Sequence, residues 1–432
     1  MPDPLASPNT DASADGPRVT VLDNGLRVVT DPVSTVESAT LGVWIGGGTR
    51  HETPSAGGIA HLLEHMVFKG TERRSARAIA EEIEAVGGML NAYTTREHTA
   101  YYAKVLKEDV PLALDLLADM LQHSLFDEQE LARERQVVVQ EIHQAHDTPD
   151  DIIFDDFQAA AFRDQTLGRS VLGTVESVGA LQRGDLVDFL SGHYGTRDAV
   201  VAAAGRIDHD ALVEAVARQF DALPAGGRGQ GGPVAYSGGE HREARDLEQL
   251  HLIVGFPGVG YHSPDYYALS VLATLLGGGM SSRLFQEIRE KAGLAYTVHS
   301  FTSSYVDGGL FGVYAGTGGE DAPELVPLLC DQLLDVTEHV GEAEIASAKA
   351  QLRANLLMGL ESTTVRCEQA GQHMLVFGRP LTPLEMVEKL EAVDAADIRR
   401  VARATFAAPP TVAALGQTDA LEPYDRLAVR LA

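Results

Sequence analysis

The chain has 432 residues and a formal net charge of −28 at pH 7. This acidity disfavours nucleic-acid binding, because phosphates would be repelled. The sequence has no run of about 18 apolar residues, so we expect no membrane span and a soluble, cytoplasmic protein. Two cysteines, Cys330 and Cys367, are too few for a disulfide framework and are expected to be buried thiols.

The length exceeds that of one ordinary core, so two domains are expected. We predict a disordered tail over 1–17, a first domain over 18–223, a glycine-rich linker over 224–245 and a second domain over 246–432. Each half shows a strand, two helices and two strands in turn, which indicates a duplication. The predicted fold class is α+β, with two homologous domains that each have an antiparallel-rich sheet covered by helices.

The most distinctive pattern of the first half is H-x-x-E-H. We predict one helix that begins after Pro54, so that His61 and His65, four residues apart, share a face. Glu64 shares this face and could hold a water molecule beside a metal. Two histidine nitrogens plus a carboxylate, with one open position, form the ligand set of a catalytic zinc. The alternative is an amphipathic helix with two surface or packed histidines.

A third ligand is expected from a long charged helix over 127–146. Its apolar residues recur at helical spacing: Leu131, Val137, Val138 and Ile142. Glu134 and Glu141 are seven residues apart and share a face, so either could reach the metal. Composition alone does not decide between them.

Two segments, 89–95 and 99–106, are rich in β-branched and aromatic residues and are predicted to be paired strands. Without other information, Asn91 would close a turn at a strand end. In the second half, a helix is predicted with Ser281 or Ser282 as its N-cap and Gly293 as its C-terminal stop.

Four further segments stand in an order typical of a known family: Gly46–Thr53, Asn91–Glu97, Asp147–Asp151 and Leu172–Thr174. With the H-x-x-E-H pattern, they resemble the pitrilysin-type inverzincin zinc metallopeptidases. The closest likeness is to the half-length branch, which includes bacterial relatives of the mitochondrial processing peptidase. The resemblance begins at about Val19 and covers nearly all of the remaining chain. Relatives often carry an aspartate where this chain has Gly46.

The resemblance implies a specific role for each residue of the metal site. His61, His65 and Glu141 match the ligands of one Zn²⁺ ion per chain, and Glu134 matches a carboxylate that supports the site without holding the metal. Glu64 matches the general base. Cobalt or manganese could occupy the same ligand set.

The resemblance also implies a peptide-binding site. Asn91 matches a residue that contacts the substrate backbone at an open sheet edge, and Arg289 and Tyr296 match a pair that contacts the peptide and the reacting carbonyl. Tyr296 is therefore expected to be catalytic as well as substrate-binding. In half-length relatives the chamber closes between two protomers. We therefore expect a homodimer in which the Arg/Tyr pair acts in trans.

The sequence therefore predicts a zinc-dependent endopeptidase that cleaves short unfolded or presequence-like peptides. The alternative is a non-catalytic scaffold or partner subunit, and an obligate heterodimer with a degenerate sibling is a further alternative to the homodimer. The acidity has two interpretations, an adaptation to high salt or a cavity that attracts basic peptides.

Overall fold

The structure, a computed structural model, describes residues 16–226, 231–232 and 234–431. Most of the predicted tail and part of the predicted linker therefore lie outside the described residues. The described chain forms two compact units, neither of which is contiguous in sequence. Unit 1 comprises the described parts of Met1–Ile142 and Ser170–Gly231 together with Met358–Leu381; unit 2 comprises His143–Arg169 and the described parts of Gly232–Leu357 and Thr382–Ala432.

The strands and helices follow one another in two similar series. The strands are β1 (Arg18–Val21), β2 (Arg27–Pro32), β3 (Ser38–Ile45), β4 (Met89–Thr94), β5 (Thr99–Leu106), β6 (Ala199–Gly205), β7 (Gly239–Ala244), β8 (Leu250–Gly258), β9 (Thr297–Ser304), β10 (Gly309–Thr317) and β11 (Thr411–Gly416). The helices are α1 (Ile59–Met66), α2 (Ala76–Ala85), α3 (Val110–His123), α4 (Glu128–His146), α5 (Pro149–Ala161), α6 (Val175–Ala180), α7 (Arg183–His193), α8 (His209–Gln219), α9 (Tyr266–Gly277), α10 (Ala322–Glu338), α11 (Glu342–Gly359), α12 (Thr363–Phe377), α13 (Pro383–Glu391), α14 (Ala395–Phe406) and α15 (Tyr424–Arg430). A π-helical segment spans Phe285–Lys291, and short 3-10 turns span Thr49–His51, Pro54–Ala56, Lys107–Asp109, Thr166–Gly168 and Gly319–Asp321.

The two sheets have the same strand arrangement. In unit 1 the order is β1-β2-β6-β3-β5-β4, and in unit 2 it is β7-β11-β8-β10-β9. Apart from the extra strand β1, each position in one sheet has a counterpart in the other. Each sheet has one parallel pair, β2 with β6 and β7 with β11, and its other pairs are antiparallel. The predicted fold class, with two homologous antiparallel-rich domains, is confirmed.

Each sheet is covered by a layer of helices on one face and by a single helix on the other. That single helix comes from the other half of the sequence. In unit 1, α12 covers the face that carries Trp44, and a Cβ added at Gly371 of α12 would lie 2.4 Å from the Trp44 ring. In unit 2, α5 covers the corresponding face, and a Cβ added at Gly255 of β8 would lie 2.4 Å from the Phe157 ring of α5. These close contacts require glycine, so each helix is fitted to its sheet.

The exchange gives the compact units different bounds from the predicted division of the chain. That division at 224–245 assigned α5 to the first half and α12 to the second, whereas they pack in unit 2 and unit 1 respectively. Helical spacing shows that a segment has an apolar face but not which sheet that face covers. The predicted domain boundaries also mark the ends of the two sequence repeats, and in that sense they stay a prediction.

The predicted helix after Pro54 is wrong in its bounds. Only a 3-10 turn forms at Pro54–Ala56, and α1 begins at Ile59. Gly58 lies between them with φ +86°, a left-handed conformation that interrupts a helix and that non-glycine residues rarely adopt. The predicted strand pair is confirmed as β4 and β5, and the charged helix is confirmed as α4.

The helix predicted after Ser281 and Ser282 is present in a different form. It begins at residue 283 and continues as the π-helical segment Phe285–Lys291. Gly293 follows with φ +70°, which agrees with its predicted role as a stop. Cys330 and Cys367 are free and buried, as predicted. Among the described residues, no helix is both long and apolar enough to cross a membrane.

Candidate metal centre

Helix α1 separates an apolar face from a polar one. Its apolar side chains are fully buried in the core of unit 1: Leu62, Leu63 and Met66. The polar side chains of the H-x-x-E-H pattern lie on the other face and are only partly buried: His61, Glu64 and His65. Burial of the leucines therefore fixes the direction in which the polar triplet projects.

A buried carboxylate holds the N-terminus of α1. Glu52 is 3% exposed, and its two oxygens accept hydrogen bonds from the backbone N–H groups of Gly58 and Ala60, each at 2.9 Å. These groups lack partners within the helix, and a negative charge there is stabilised by the helix dipole. Glu52 thus fixes the start of the helix that carries the polar triplet.

Helix α4 presents two glutamates to α1. Leu131 and Val138 are buried and anchor α4 in the core. Val137 is 41% exposed and is not part of this anchor. Glu134 and Glu141 are two helical turns apart and both contact histidines of α1.

The structure brings together His61, His65 and Glu141. The Nε2 atoms of both histidines lie 3.7 Å from Oε2 of Glu141, and one ligand atom from each residue lies within 4.8 Å of the other two. This spacing is too long for hydrogen bonds and suits three ligands around one ion. Composition left the choice between Glu134 and Glu141 open, and this geometry favours Glu141 as the ligand.

The electrostatics of the site also fit a metal ion. Among the described residues, the buried Oε2 of Glu141 and Nδ1 of His61 have no hydrogen-bond partner. A buried carboxylate oxygen without a partner is costly unless a cation satisfies it. Burial, with His65 nearby, lowers the pKa of His61 to about 4. His61 is therefore neutral at pH 7, as a metal ligand must be.

Glu64 lies beside the triad and is held by the sheet edge. Its Oε2 accepts a hydrogen bond from Oγ1 of Thr94, the last residue of β4, at 2.5 Å. Burial raises the pKa of Glu64; the hydrogen bond from Thr94 lowers it and the charge of Glu141 raises it further. A carboxylate whose pKa is raised towards neutrality is better suited to accept and return a proton.

Glu134 bridges a histidine and a lysine. Its Oε2 lies 3.1 Å from Nδ1 of His65, and its Oε1 lies 2.8 Å from Nζ of Lys69. Glu134 therefore contacts His65 on the side opposite to Glu141, in keeping with the supporting role predicted for it.

Asn91 lies on β4, the outermost strand of the unit 1 sheet. Its side chain is exposed, and its Oδ1 accepts a hydrogen bond from the backbone N–H of Ala92 at 2.8 Å. The expectation that this strand is an open edge is met among the described residues, because β4 pairs only with β5.

Arg289 and Tyr296 lie in unit 2 and contact each other. The Arg289 guanidinium lies 4.7 Å from the ring centroid of Phe285 and 5.1 Å from that of Tyr296. Arg289 is therefore stacked against two aromatic faces. Tyr296 is 74% exposed.

Sequence reasoning missed three residues of the site: Glu52, Lys69 and Thr94. The signal for Glu52 was an acidic residue shortly before the helix, which is favoured at N-termini. The signal for Lys69 was its spacing of four residues from His65, which continues the histidine stripe. Thr94 offered none, because its contact with Glu64 depends on where β4 packs.

Comparison with known proteins gives two family matches along the chain. Residues 27–175 match the family described as Insulinase (Peptidase family M16), and residues 180–352 match the family described as Peptidase M16 inactive domain. The first match contains all residues of the metal site, and the second contains Arg289 and Tyr296.

Relatives align over almost the whole chain. A protein of Rickettsia bellii described as an uncharacterized zinc protease is 40% identical over 399 residues, which are 92% of this chain and 97% of the relative. A probable mitochondrial-processing peptidase subunit beta of Arabidopsis thaliana is 37% identical over an alignment of 437 positions, which covers 98% of this chain and 82% of the relative. The crystal structure of a protease from Helicobacter pylori superposes with a TM-score of 0.86, covers 93% of this chain and 99% of that one, and is 24% identical; this likeness shows the fold. The family and the descriptions of the relatives support a zinc protease, and the chain belongs to peptidase family M16.

Proposed function

We propose that the protein is a zinc-dependent endopeptidase that cleaves short unfolded peptides. The observation that carries this proposal is the convergence of His61, His65 and Glu141, with Glu64 adjacent and held by Thr94. A purely structural role would not need a buried carboxylate oxygen without a partner beside two imidazoles.

In this proposal His61, His65 and Glu141 hold one Zn²⁺ ion. Zinc supplies Lewis acidity, which lowers the pKa of water towards ~7 and polarises a carbonyl group. Glu64 takes a proton from the attacking water and passes it to the leaving amine. Thr94 keeps the Glu64 carboxylate oriented for both transfers through its hydrogen bond.

We further propose that the peptide binds along β4. The edge of this strand offers main-chain hydrogen-bond groups to an added strand, which gives affinity with little dependence on sequence. Asn91 is exposed on the same strand and would bond to the peptide backbone. Because the chain carries 62 acidic and 34 basic residues, basic and presequence-like peptides are the favoured substrates.

Arg289 and Tyr296 are proposed to act in trans within a homodimer. Tyr296 would donate to the oxyanion and Arg289 to main-chain carbonyls of the peptide bound to the other protomer. Mixing Glu64→Gln protein with Tyr296→Phe protein should restore activity in mixed dimers, because one of their two sites is intact. No recovery after confirmed subunit exchange would contradict action in trans.

The experiment that tests the proposed activity is mass spectrometry of mixed basic and neutral unfolded peptides after incubation with zinc-loaded protein. Wild type should cleave them, whereas Glu64→Gln should bind zinc and show no turnover. Cleavage by Glu64→Gln at the wild-type rate would refute the role of Glu64. No cleavage by either protein would favour the scaffold role or a missing partner chain.

A further inference from the structure

We propose that Lys69 is a positioning residue of the metal centre, which acts through Glu134 to orient His65. This inference rests on the proposed zinc site and adds a residue to which neither the sequence patterns nor the family resemblance gave a role. Lys69 lies in the turn directly after α1, where its backbone N–H donates to the carbonyl of Met66 at 3.1 Å.

The three side chains form a continuous chain of contacts. Lys69 Nζ lies 2.8 Å from Oε1 of Glu134, and Oε2 of Glu134 lies 3.1 Å from Nδ1 of His65. Each carboxylate oxygen therefore has its own partner, which restricts rotation of the group about its terminal bond. The Glu134 side chain is only 8% exposed, so water competes little for these contacts.

The contact with Glu134 determines which ring nitrogen of His65 is free to bind a metal. When Nδ1–H donates to Glu134, the lone pair of Nε2 is directed to the other side of the ring, where Oε2 of Glu141 lies 3.7 Å away. Carboxylates that orient a ligand histidine in this way typically change metal affinity or activity by about 10–100-fold when they are removed. Lys69 fixes the carboxylate that performs this function.

The two histidines of the site differ in this respect. Nδ1 of His61 is buried and has no hydrogen-bond partner among the described residues. Of the two histidines, only His65 has a carboxylate in contact with its Nδ1 atom. Among the described residues, the Lys69–Glu134 pair is therefore the one polar contact that orients a ligand histidine from that side. Loss of Lys69 should therefore weaken the whole site.

The test measures zinc affinity of the full chain by competition with a chromophoric chelator. Lys69→Met should bind zinc about 10-fold more weakly, whereas Lys69→Arg, which retains the charge, should recover most of the affinity. Lys107→Met is the matched control, because Lys107 pairs with Glu37 on the surface at 2.5 Å and should leave zinc affinity unchanged. With peptide substrate, Lys69→Met should lower kcat and change KM less than about twofold.

A double variant distinguishes positioning through Glu134 from a general effect. If Lys69 acts through Glu134, adding Lys69→Met to Glu134→Gln should cause no further loss of zinc affinity. Additive losses of zinc affinity in the double variant, or wild-type affinity in Lys69→Met, would overturn the inference. The proposed function would still stand in that case if wild type binds zinc. Wild-type protein that binds no zinc would overturn both. Far-UV circular dichroism of the zinc-free variants should match that of Lys107→Met, which separates the effect from misfolding.

Discussion

Substitution of Glu52 by glutamine should destabilise the protein although it alters no metal ligand. The carboxylate is buried, and each oxygen accepts one backbone N–H of the α1 N-terminus at 2.9 Å. A hydrogen bond to a charged group contributes about 1.5–3 kcal/mol, and a buried donor left without a partner costs about 1–3 kcal/mol. Glutamine keeps one acceptor, loses the charge and turns an NH₂ group towards an N–H donor. We therefore expect a loss of about 3 kcal/mol.

The assay is thermal unfolding of the zinc-free full chain, followed by circular dichroism. For a folding unit of about 200 residues, 3 kcal/mol corresponds to a decrease in Tm of about 6–12 °C. Glu81→Gln is the control, because Glu81 forms an exposed pair with Arg77 on α2 and such pairs contribute about 0–1 kcal/mol. A Glu52→Gln protein that unfolds within about 1 °C of wild type would refute the role of this carboxylate in holding α1.

Three further perturbations test other parts of the structure. Asp119 is buried and accepts a hydrogen bond from Arg74 at 2.8 Å, so Asp119→Asn should cost about 3 kcal/mol at pH 7. Burial raises the pKa of Asp119, but hydrogen bonds, the largest from Arg74, bring it below its usual value. Its stabilising effect is therefore present above the unfolded pKa of about 4 and is lost as the pH falls, so urea unfolding should show a smaller difference from wild type at pH 3; an unchanged difference would contradict this. Zinc at about 100 times its dissociation constant should stabilise wild type by about 2.7 kcal/mol in calorimetry and should not stabilise His61→Ala. Gly371→Ala should destabilise by about 1–3 kcal/mol in urea unfolding, because its Cβ would lie 2.4 Å from an indole ring, whereas Gly184→Ala has open space and should not; equal effects would argue against tight packing of α12.

Much of the site could be predicted because its residues follow helical spacing. His61, Glu64 and His65 lie on one turn of α1, and Glu134 and Glu141 lie two turns apart on α4. Periodicity places such residues on a common face whatever the tertiary structure. The choice of Glu141 over Glu134 as ligand could not be made from either helix alone. It depended on the family resemblance and on the geometry with which the two helices meet.

Other features could not be predicted because they depend on packing between distant segments. The true start of α1 depends on Gly58, where a Cβ would lie 2.6 Å from the carbonyl oxygen of Leu172, more than a hundred residues away. The contact of Thr94 with Glu64 depends on the position of β4 against α1. Neither constraint leaves a mark on the local hydrophobic pattern.

Because α5 and α12 are exchanged, each half of the duplication needs a helix from the other half to cover one face of its sheet. If residues beyond the glycine-rich segment were lost in evolution, the sheet of unit 1 would expose the face that carries Trp44 and Val200. The half without metal ligands thus contributes α12 to the fold of unit 1, in addition to any chemistry that its own residues perform. A duplication that has traded helices in this way cannot return to a single-repeat ancestor by simple deletion.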